Sequence, residues 1–252
     1  MIEPFFIEDN NSQLFFTYHP ASGTVEHDFA VILCYPFGQE YIRCHRTYKF
    51  LAESLASRGI HALRFDYHGC GDSSGDLQAV SIEDWLGNIH LAVGEVRDSI
   101  CVRQVYLFGM RFGATLACLY SSTHKVNGLI LWEPVFDGSF YIQQLKKMEK
   151  DFLRGSFAKA KNKNGFECLG FSIPRHLFTE MTKIRLTAKS LKSTQNILLI
   201  SEAKDEPDFI DLENLEFREA VNPGIWIKSQ EDFNKAIVPQ QDINNILEWI
   251  IK

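Results

Sequence analysis

The sequence predicts one α/β domain with a mostly parallel sheet flanked by helices, and three observations support this prediction. Between residues 29 and 135, apolar runs of strand length alternate with helical segments, the βαβ order that places parallel strands side by side. The runs "FAVILCYPF" and "VNGLILWEPV" are apolar almost throughout, as expected for strands covered on both faces. The chain has 252 residues, 45% of them hydrophobic, which allows a sizeable core.

The first 76 residues supply four strands and one helix in order. "EPFFIE" and "LFFTYHP" flank the turn-rich "DNNSQ" and are typical of an antiparallel hairpin. "FAVILCYPF" is the third strand, and "RTYKFLAESLASRG" is a helix that ends at Gly59, a natural residue after a helix C-terminus. "IHALRFDY" is the fourth strand, and the glycine-rich loop "HGCGDSSGD" follows it.

The next elements continue the same alternation. Ser81 and Asp84 have capping-box spacing at the start of the helix "SIEDWLGNIHLAVGEV". "RQVYLFG" is a strand, "FGATLACLYSS" a helix and "VNGLILWEPV" a strand. These elements extend the parallel sheet with right-handed crossovers.

The alternation stops after Val135 and resumes near residue 196. Residues 136–195 contain helical stretches such as "YIQQLKKMEKDFLRGSFAKAK" and "IPRHLFTEMTKIRL" and no convincing buried strand. "NILLISEA" and "GIWIK" then complete a predicted sheet of eight strands, and "DINNILEWIIK" is a last amphipathic helix. We therefore assign the core to residues 1–135 and 196–252, with residues 136–195 as a helical cap, or lid, over the carboxyl edge of the sheet.

Composition narrows the class of protein. The net charge of −6 gives no electrostatic footprint for nucleic acid, and the basic stretches "LKKMEK" and "AKAKNKNG" are read as solvated faces. No apolar run has the length of a membrane span, and the acidic N-terminus does not resemble a secretory signal. Six scattered cysteines lack zinc-ligand spacing. We expect a reduced cytoplasmic protein without a metal or other cofactor.

The stretch "VYLFGMRFGATLA" has the strand–turn–helix pattern of a nucleophile elbow, normally Gly-x-Ser-x-Gly. Gly109 and Gly113 are the flanking glycines, but Arg111 takes the place of the nucleophile. The backbone N–H of Phe112 and that of Phe37 or Gly38, in the "PFG" loop, could still form an oxyanion-type pair. The elbow geometry is thus predicted without its nucleophile.

The other members of a Ser-His-Asp triad would follow the elbow in the chain. Asp205 in "SEAKDEPD" is the best placed acid, with Glu202 second. The last histidine is His176, inside the predicted cap, so the base has no candidate near the C-terminus. Loss of nucleophile and base removes most of the rate of a serine hydrolase. Ordinary Ser-His-Asp hydrolysis is therefore not expected.

The loop "HGCGDSSGD" offers other chemistry. Cys70 lies beside His68, which suggests a thiol nucleophile, but a structural turn leading into the next helix is the favoured interpretation. Asp66, His68 and Asp72 could approach a metal ion, although no ligand spacing supports this.

Arg111 at the helix N-terminus has two interpretations. In the first, Glu40 or Asp72 neutralises the guanidinium, because a buried unpaired cation is costly, and the arginine plugs the site. In the second, it binds a ligand carboxylate, phosphate or acyl carbonyl at an end of the helix that already favours anions. The candidate ligand-binding residues are Arg111, Glu40, Phe37, Met110 and Asp72.

Several segments together resemble the α/β-hydrolase superfamily, and more narrowly the exosortase-system-associated hydrolase group with its serine-aminopeptidase-like core. They include "YPFGQEYIRCHR", "LRFDYHGCGDSSGD", "LFGMRFGATLA" and "LILWEPVFDGSFYIQQL" and span residues 35 to about 178. The resemblance implies the α/β-hydrolase fold, an elbow with Arg111 at its centre, oxyanion-loop residues Phe37 and Gly38, and the acid Asp205. No histidine matches the base of that pattern.

Three functions follow as hypotheses. The first is a non-catalytic binding or accessory protein, a pseudoenzyme whose Phe-lined apolar pocket holds an acyl-type or anionic small molecule. The second is an esterase, thioesterase or acyltransferase with a non-standard active site. The third is a structural partner subunit for a protein of the same pathway.

Overall fold

Eight strands of the computed structural model form one mixed sheet, and two further strands form a separate hairpin. The structure describes residues 2–9, 12–154, 165–202, 212–224, 226 and 238–252. In chain order the strands are β1 (Glu3–Asp9), β2 (Ser12–His19), β3 (Phe29–Cys34), β4 (His61–Phe65), β5 (Gln104–Met110), β6 (Gly128–Trp132), β7 (Gly165–Cys168), β8 (Phe171–Pro174), β9 (Asn196–Ser201) and β10 (Leu215–Glu219).

The sheet order is β1-β2-β4-β3-β5-β6-β9-β10. The pairs β1/β2 and β2/β4 are antiparallel, and every other pair is parallel. This confirms the predicted mostly parallel sheet of eight strands. All five residues of β6 are buried, as are the last five of β3. Their apolar runs are thus explained by cover on both faces.

Helices cover the sheet and form part of residues 136–195. They are α1 (Gln39–Ala56), α2 (Ile82–Asp98), α3 (Phe112–Ser121), α4 (Gly138–Arg154), α5 (Arg175–Lys183), α6 (Ala188–Leu191) and α7 (Gln240–Ile251). The predicted capping box is present at α2, where Ser81 Oγ accepts from the Asp84 amide and Asp84 Oδ2 accepts from the Ser81 amide.

The first turns of α1 were missed in the sequence. The helix begins at Gln39, several residues before the predicted start near residue 46. Gly38 precedes it with φ 63° and ψ −132°, a conformation that glycine adopts readily. Because of this turn, Glu40 lies in the first turn of a helix rather than in a loop.

Two strand assignments also differ from the prediction. The last strand is β10, whose side chains are only partly buried, so it lacks the apolar run that marks a strand in the sequence. Of the predicted strand "GIWIK", Gly224 and Trp226 lie in a turn, and the other residues are outside the described part of the chain. The short β7–β8 hairpin shows that residues 136–195 are not purely helical.

The elbow depends on close backbone packing at two glycines. A Cβ at Gly113 would lie 2.2 Å from the Cys34 carbonyl oxygen and 2.5 Å from that of Tyr35. A Cβ at Gly109 would lie 2.4 Å from the Ala114 nitrogen. The two glycines therefore allow α3 to start directly against the ends of β3 and β5.

We predict that Gly113→Ala lowers the free energy of unfolding by about 3 kcal/mol or more, because the methyl group meets backbone atoms that cannot move alone. Gly94→Ala is the matched control, since its Cβ would meet nothing within 4 Å in the interior of α2. This control should gain about 0.5–1 kcal/mol. Urea unfolding followed by circular dichroism measures both, and equal stability of the two variants would contradict the packing argument.

Candidate functional site

Arg111 lies at the sharp turn between β5 and α3, the position predicted for the elbow. Its backbone has φ 50° and ψ −125°, close to the first central position of a type II′ turn, where glycine is usual. Its amide donates to the Trp132 carbonyl oxygen at 2.9 Å, which extends the pairing of β5 with β6. The strained turn is thus held by the sheet on one side and by α3 on the other.

The guanidinium of Arg111 has three hydrogen-bond partners. Nε donates to Glu40 Oε1 at 3.1 Å, Nη1 to the Glu133 carbonyl oxygen at 3.2 Å, and Nη2 to Gln144 Oε1 at 3.3 Å. The Arg111 side chain is 11% exposed and that of Glu40 is 2% exposed. The predicted pair with Glu40 is therefore present as a buried ion pair.

Tyr141 of α4 completes this group. Its hydroxyl donates to Glu40 Oε2 at 2.9 Å, and its ring centroid lies 5.9 Å from the Arg111 guanidinium carbon. The ring also stacks on Phe112, with centroids 5.8 Å apart. Glu40 therefore receives hydrogen bonds on both oxygens, and α4 is fastened to the elbow through Tyr141 and Gln144.

Burial and charge act in opposite directions on these groups. Burial lowers the pKa of Arg111, but the nearby carboxylates of Glu40 and Glu133 raise it, and the net pKa lies above its ordinary value. Burial and the Glu40 carboxylate hold the pKa of Tyr141 well above its usual range. Arg111 therefore stays protonated, and Tyr141 stays a neutral hydrogen-bond donor.

A cavity of about 290 Å³ opens beside Arg111 at the carboxyl ends of β5, β6 and β9. Glu133 forms part of its wall, and Glu133 Oε1 accepts from the Gly224 amide at 2.6 Å. The lining residues that the structure describes are Arg111, Glu133, Pro134, Val135, Phe136, Asp137, Phe140, Tyr141, Gln144, Ser201, Glu202, Pro223 and Gly224. The lining thus combines two phenylalanines with three carboxylates, and the Phe-lined apolar pocket expected from the sequence is only part of it.

Among the described residues, the members of the predicted oxyanion pair, Phe112 with Phe37 or Gly38, do not line the cavity beside Arg111. Phe112 is the first residue of α3, and its N–H has no acceptor within the helix. Phe37 and Gly38 line a separate pocket of about 10 Å³, together with Glu40 and Tyr141. Tyr141 lines both pockets, so its ring stands between the "PFG" loop and the cavity beside Arg111.

Other predicted ligand residues lie away from the cavity. Met110 is fully buried below the elbow. Asp72 is exposed, and the carboxylate that pairs with Arg111 is that of Glu40 instead. Glu202, the second candidate acid, lines the cavity. Asp205, the first candidate acid, lies outside the described residues.

The loop after β4 is held by hydrogen bonds rather than arranged for catalysis. Asp66 accepts from the Tyr41 hydroxyl and the Asp72 amide. Burial, with the Asp66 carboxylate, raises the pKa of the Cys70 thiol to about 12. Within the described residues no group of three His, Cys, Asp or Glu side chains is arranged to hold a metal ion. These contacts favour the structural interpretation of this loop.

Three site residues were missed in the sequence. Glu133 directly follows β6 with φ 44°, in the loop "WEPVFDG" at the carboxyl edge of the sheet, so its position was a usable signal. Tyr141 and Gln144 are three residues apart on α4 and therefore share a helical face. Nothing in the sequence indicated that this face meets the elbow.

The sheet order, the elbow and the cavity at the carboxyl edge define the class: the chain has an α/β-hydrolase fold. The family model described as serine aminopeptidase, S33 (Hydrolase_4) matches residues 31–193, more than half of the chain. The chain belongs to this family. Among the described residues, no helix is long and apolar enough to cross a membrane.

Similar proteins include two proline iminopeptidases and the protein Est1E. A proline iminopeptidase from Lactobacillus delbrueckii subsp. bulgaricus is 24% identical over 153 residues, which are 57% of this chain and 50% of that protein. The chain thus spans about half the length of the curated relatives it matches. Est1E from Butyrivibrio proteoclasticus, solved with ferulic acid, aligns with a TM-score of 0.65 at 17% identity over 98% of this chain and 100% of its own.

Proline iminopeptidase from Mycobacterium smegmatis aligns equally well, with a TM-score of 0.65 at 12% identity over 98% of this chain and 97% of its own. At this level of identity the two solved structures support the fold and carry no information on the substrate of this chain.

We predict that Arg111→Met costs about 3–5 kcal/mol of stability, because it leaves the Glu40 carboxylate buried without a cation. The double variant Arg111→Met/Glu40→Gln should recover a large part of this loss, and urea unfolding of the two single variants and the double variant gives the coupling. Arg103→Met is the control, since the Arg103–Asp28 pair is exposed and should contribute less than about 1 kcal/mol. Additive effects at Arg111 and Glu40 would contradict the assigned pair.

We predict that iodoacetamide at about pH 8 alkylates Cys70 roughly a thousandfold more slowly in the folded protein than in the unfolded chain, because little thiolate is present. Cys101 is exposed and should react early. Peptide mass mapping over time measures both rates, and the same reaction in concentrated guanidinium chloride is the control. Rapid alkylation of Cys70 in the folded state would restore it as a candidate nucleophile.

Proposed function

We propose that this α/β-hydrolase-fold protein is a non-catalytic binding or accessory protein whose ligand occupies the cavity beside Arg111. The observation that carries the proposal is the elbow itself. A guanidinium takes the place of the nucleophile, and three protein acceptors and the Tyr141 ring hold it in position. A group engaged in this way can donate hydrogen bonds, but it cannot attack a carbonyl carbon.

The cavity favours a small acyl-type ligand over a purely anionic one. Its volume of about 290 Å³ is at the lower end of the range for ligand sites. Arg111 has five N–H donors, of which three are used in the bonds described above, so a ligand carbonyl can accept from the others. The carboxylates of Glu133 and Glu202 lie in the same wall and would repel an anion, while Asp137 is paired with Arg185. Phe136 and Phe140 supply apolar contacts.

We propose that residues 136–195 act as a cap over this site. The support is the position of α4, whose Tyr141 and Gln144 contact Glu40 and Arg111 and line the cavity. We also propose the narrower relationship to the exosortase-system-associated group, with its arginine-centred elbow. A cytoplasmic location belongs to the same proposal. Six free cysteines are in keeping with that location.

The alternative is an esterase, thioesterase or acyltransferase with a non-standard site. Membership of the serine aminopeptidase family favours it, and the Phe112 amide remains at the start of α3. It requires a nucleophile other than Cys70, whose thiol is protonated at neutral pH. The third candidate, a structural partner subunit, needs no ligand in the cavity.

We predict that short acyl amides and esters raise the melting temperature of the native protein and that Arg111→Ala abolishes this shift. Acetate and inorganic phosphate should give a smaller shift, because the carboxylates of Glu133 and Glu202 line the cavity. Differential scanning fluorimetry provides the measurement. Arg103→Ala, at an exposed arginine outside the cavity, should retain the shift of the native protein.

A fluorophosphonate probe should leave the native protein unlabelled. Stoichiometric labelling, or turnover of short acyl esters that survives Arg111→Ala, would favour the enzyme over the binding protein. If none of the ligands raises the melting temperature but a co-purified protein does, the result would favour the structural subunit.

A further inference from the structure

Charge is divided unevenly along the chain. Residues 136–195 contain 12 lysines and arginines but only 5 aspartates and glutamates, a net charge of +7. The rest of the chain carries −13. A strongly basic segment therefore belongs to an otherwise acidic protein.

The outer surface of α4 carries much of this positive charge. Phe140, Gln143, Lys147, Lys150 and Arg154 recur at intervals of three and four residues, so they form one stripe along the helix. All five are exposed, as is the adjoining Lys146. From Phe140 to Arg154 this stripe is about 21 Å long.

Helix α5 extends the same surface. Lys146 Nζ lies 4.8 Å from the ring centroid of Phe178, which joins the outer sides of the two helices. Arg175 and Lys183 of α5 are exposed. We call the exposed cations Lys146, Lys147, Lys150, Arg154, Arg175 and Lys183 the basic face.

Of the acidic residues of these helices, only Asp151 pairs with a cation of the basic face in the described part of the chain. Glu149 is buried and accepts from the Leu169 amide at 2.7 Å. Glu180 accepts from the Ile82 amide at 2.8 Å. Asp151 pairs with Arg154. Within the described part of the chain, the three lysines of α4 form no ion pair, so their charges face solvent.

We propose that the basic face binds a compact acidic segment of another protein. Charge complementarity is the attraction, and Phe140, 58% exposed at one end of the stripe, supplies an aromatic contact of the kind enriched at interfaces. Phe140 also lines the cavity, so a bound partner would lie beside its mouth.

The negative charge of the rest of the molecule favours a partner no larger than the basic face. The core carries −13 and repels an extended polyanion such as an anionic bilayer or a long nucleic acid wherever it comes within about a Debye length, roughly 8 Å. A partner no larger than the basic face meets the positive charge alone. The face also lacks a cluster of exposed apolar side chains for insertion into lipid, since Phe140 is its one large exposed hydrophobic residue among those described.

The test is the fluorescence anisotropy of a labelled peptide of alternating glutamate and serine, about twelve residues long, mixed with the full-length protein. The variant Lys146→Gln/Lys147→Gln/Lys150→Gln should weaken peptide binding on the order of tenfold at about 50 mM NaCl. The control Lys49→Gln/Lys125→Gln/Lys252→Gln has the same net charge but leaves the basic face intact, and it should bind within about twofold of the native protein.

Thermal unfolding establishes that both triple variants are folded. The proposal is overturned if the native protein does not bind the peptide at low salt, or if the two triple variants lose affinity equally. It is also overturned if vesicles with about 30% phosphatidylserine sediment the native protein while the peptide does not bind. The basic face would then be a lipid surface.

Discussion

The buried ion pair between Arg111 and Glu40 is the interaction on which the carboxyl edge of this protein depends. Removing two charges from water costs several kcal/mol for each ion, and the pair is stable only if its remaining donors and acceptors are satisfied. The Glu133 carbonyl, Gln144 and the Tyr141 hydroxyl meet this need. Two of these three residues belong to α4. The requirement to satisfy the pair therefore places this helix over the elbow.

The backbone at the elbow imposes a second requirement. A side chain at φ 50° is strained, and this conformation persists because β5, β6 and α3 hold the residue from three sides. Because Gly113 has no side chain, the helix packs so close to the ends of the strands that a methyl group would not fit between them. The same architecture that aims a serine outward in a hydrolase here aims a guanidinium at Glu40. The turn of the elbow is thus kept with a different side chain at its centre.

Features that depend mainly on residues close together in the chain could be predicted from the sequence. The buried strands, the capping box at Ser81 and the elbow around Arg111 could be recognised from apolar runs and glycine spacing, and Glu40 was identified as a partner because it follows a strand at the same edge. β10 was missed because an edge strand with half-buried side chains has no apolar run. Tyr141 and Gln144 were missed because their contacts depend on how α4 packs across the elbow, which no spacing within α4 encodes.

The division of charge has a consequence for the behaviour of the protein in solution. Near the isoelectric point of about 5.8 the net charge vanishes, but the basic and acidic parts of the surface remain. Copies of the molecule can then attract one another with opposite faces. Such an attraction is strongest at low ionic strength and is screened by added electrolyte. Solubility near this pH should therefore rise when salt is added, because the salt screens the attraction between opposite faces. A surface with charges of one sign would lose solubility instead, because the salt would screen its repulsion.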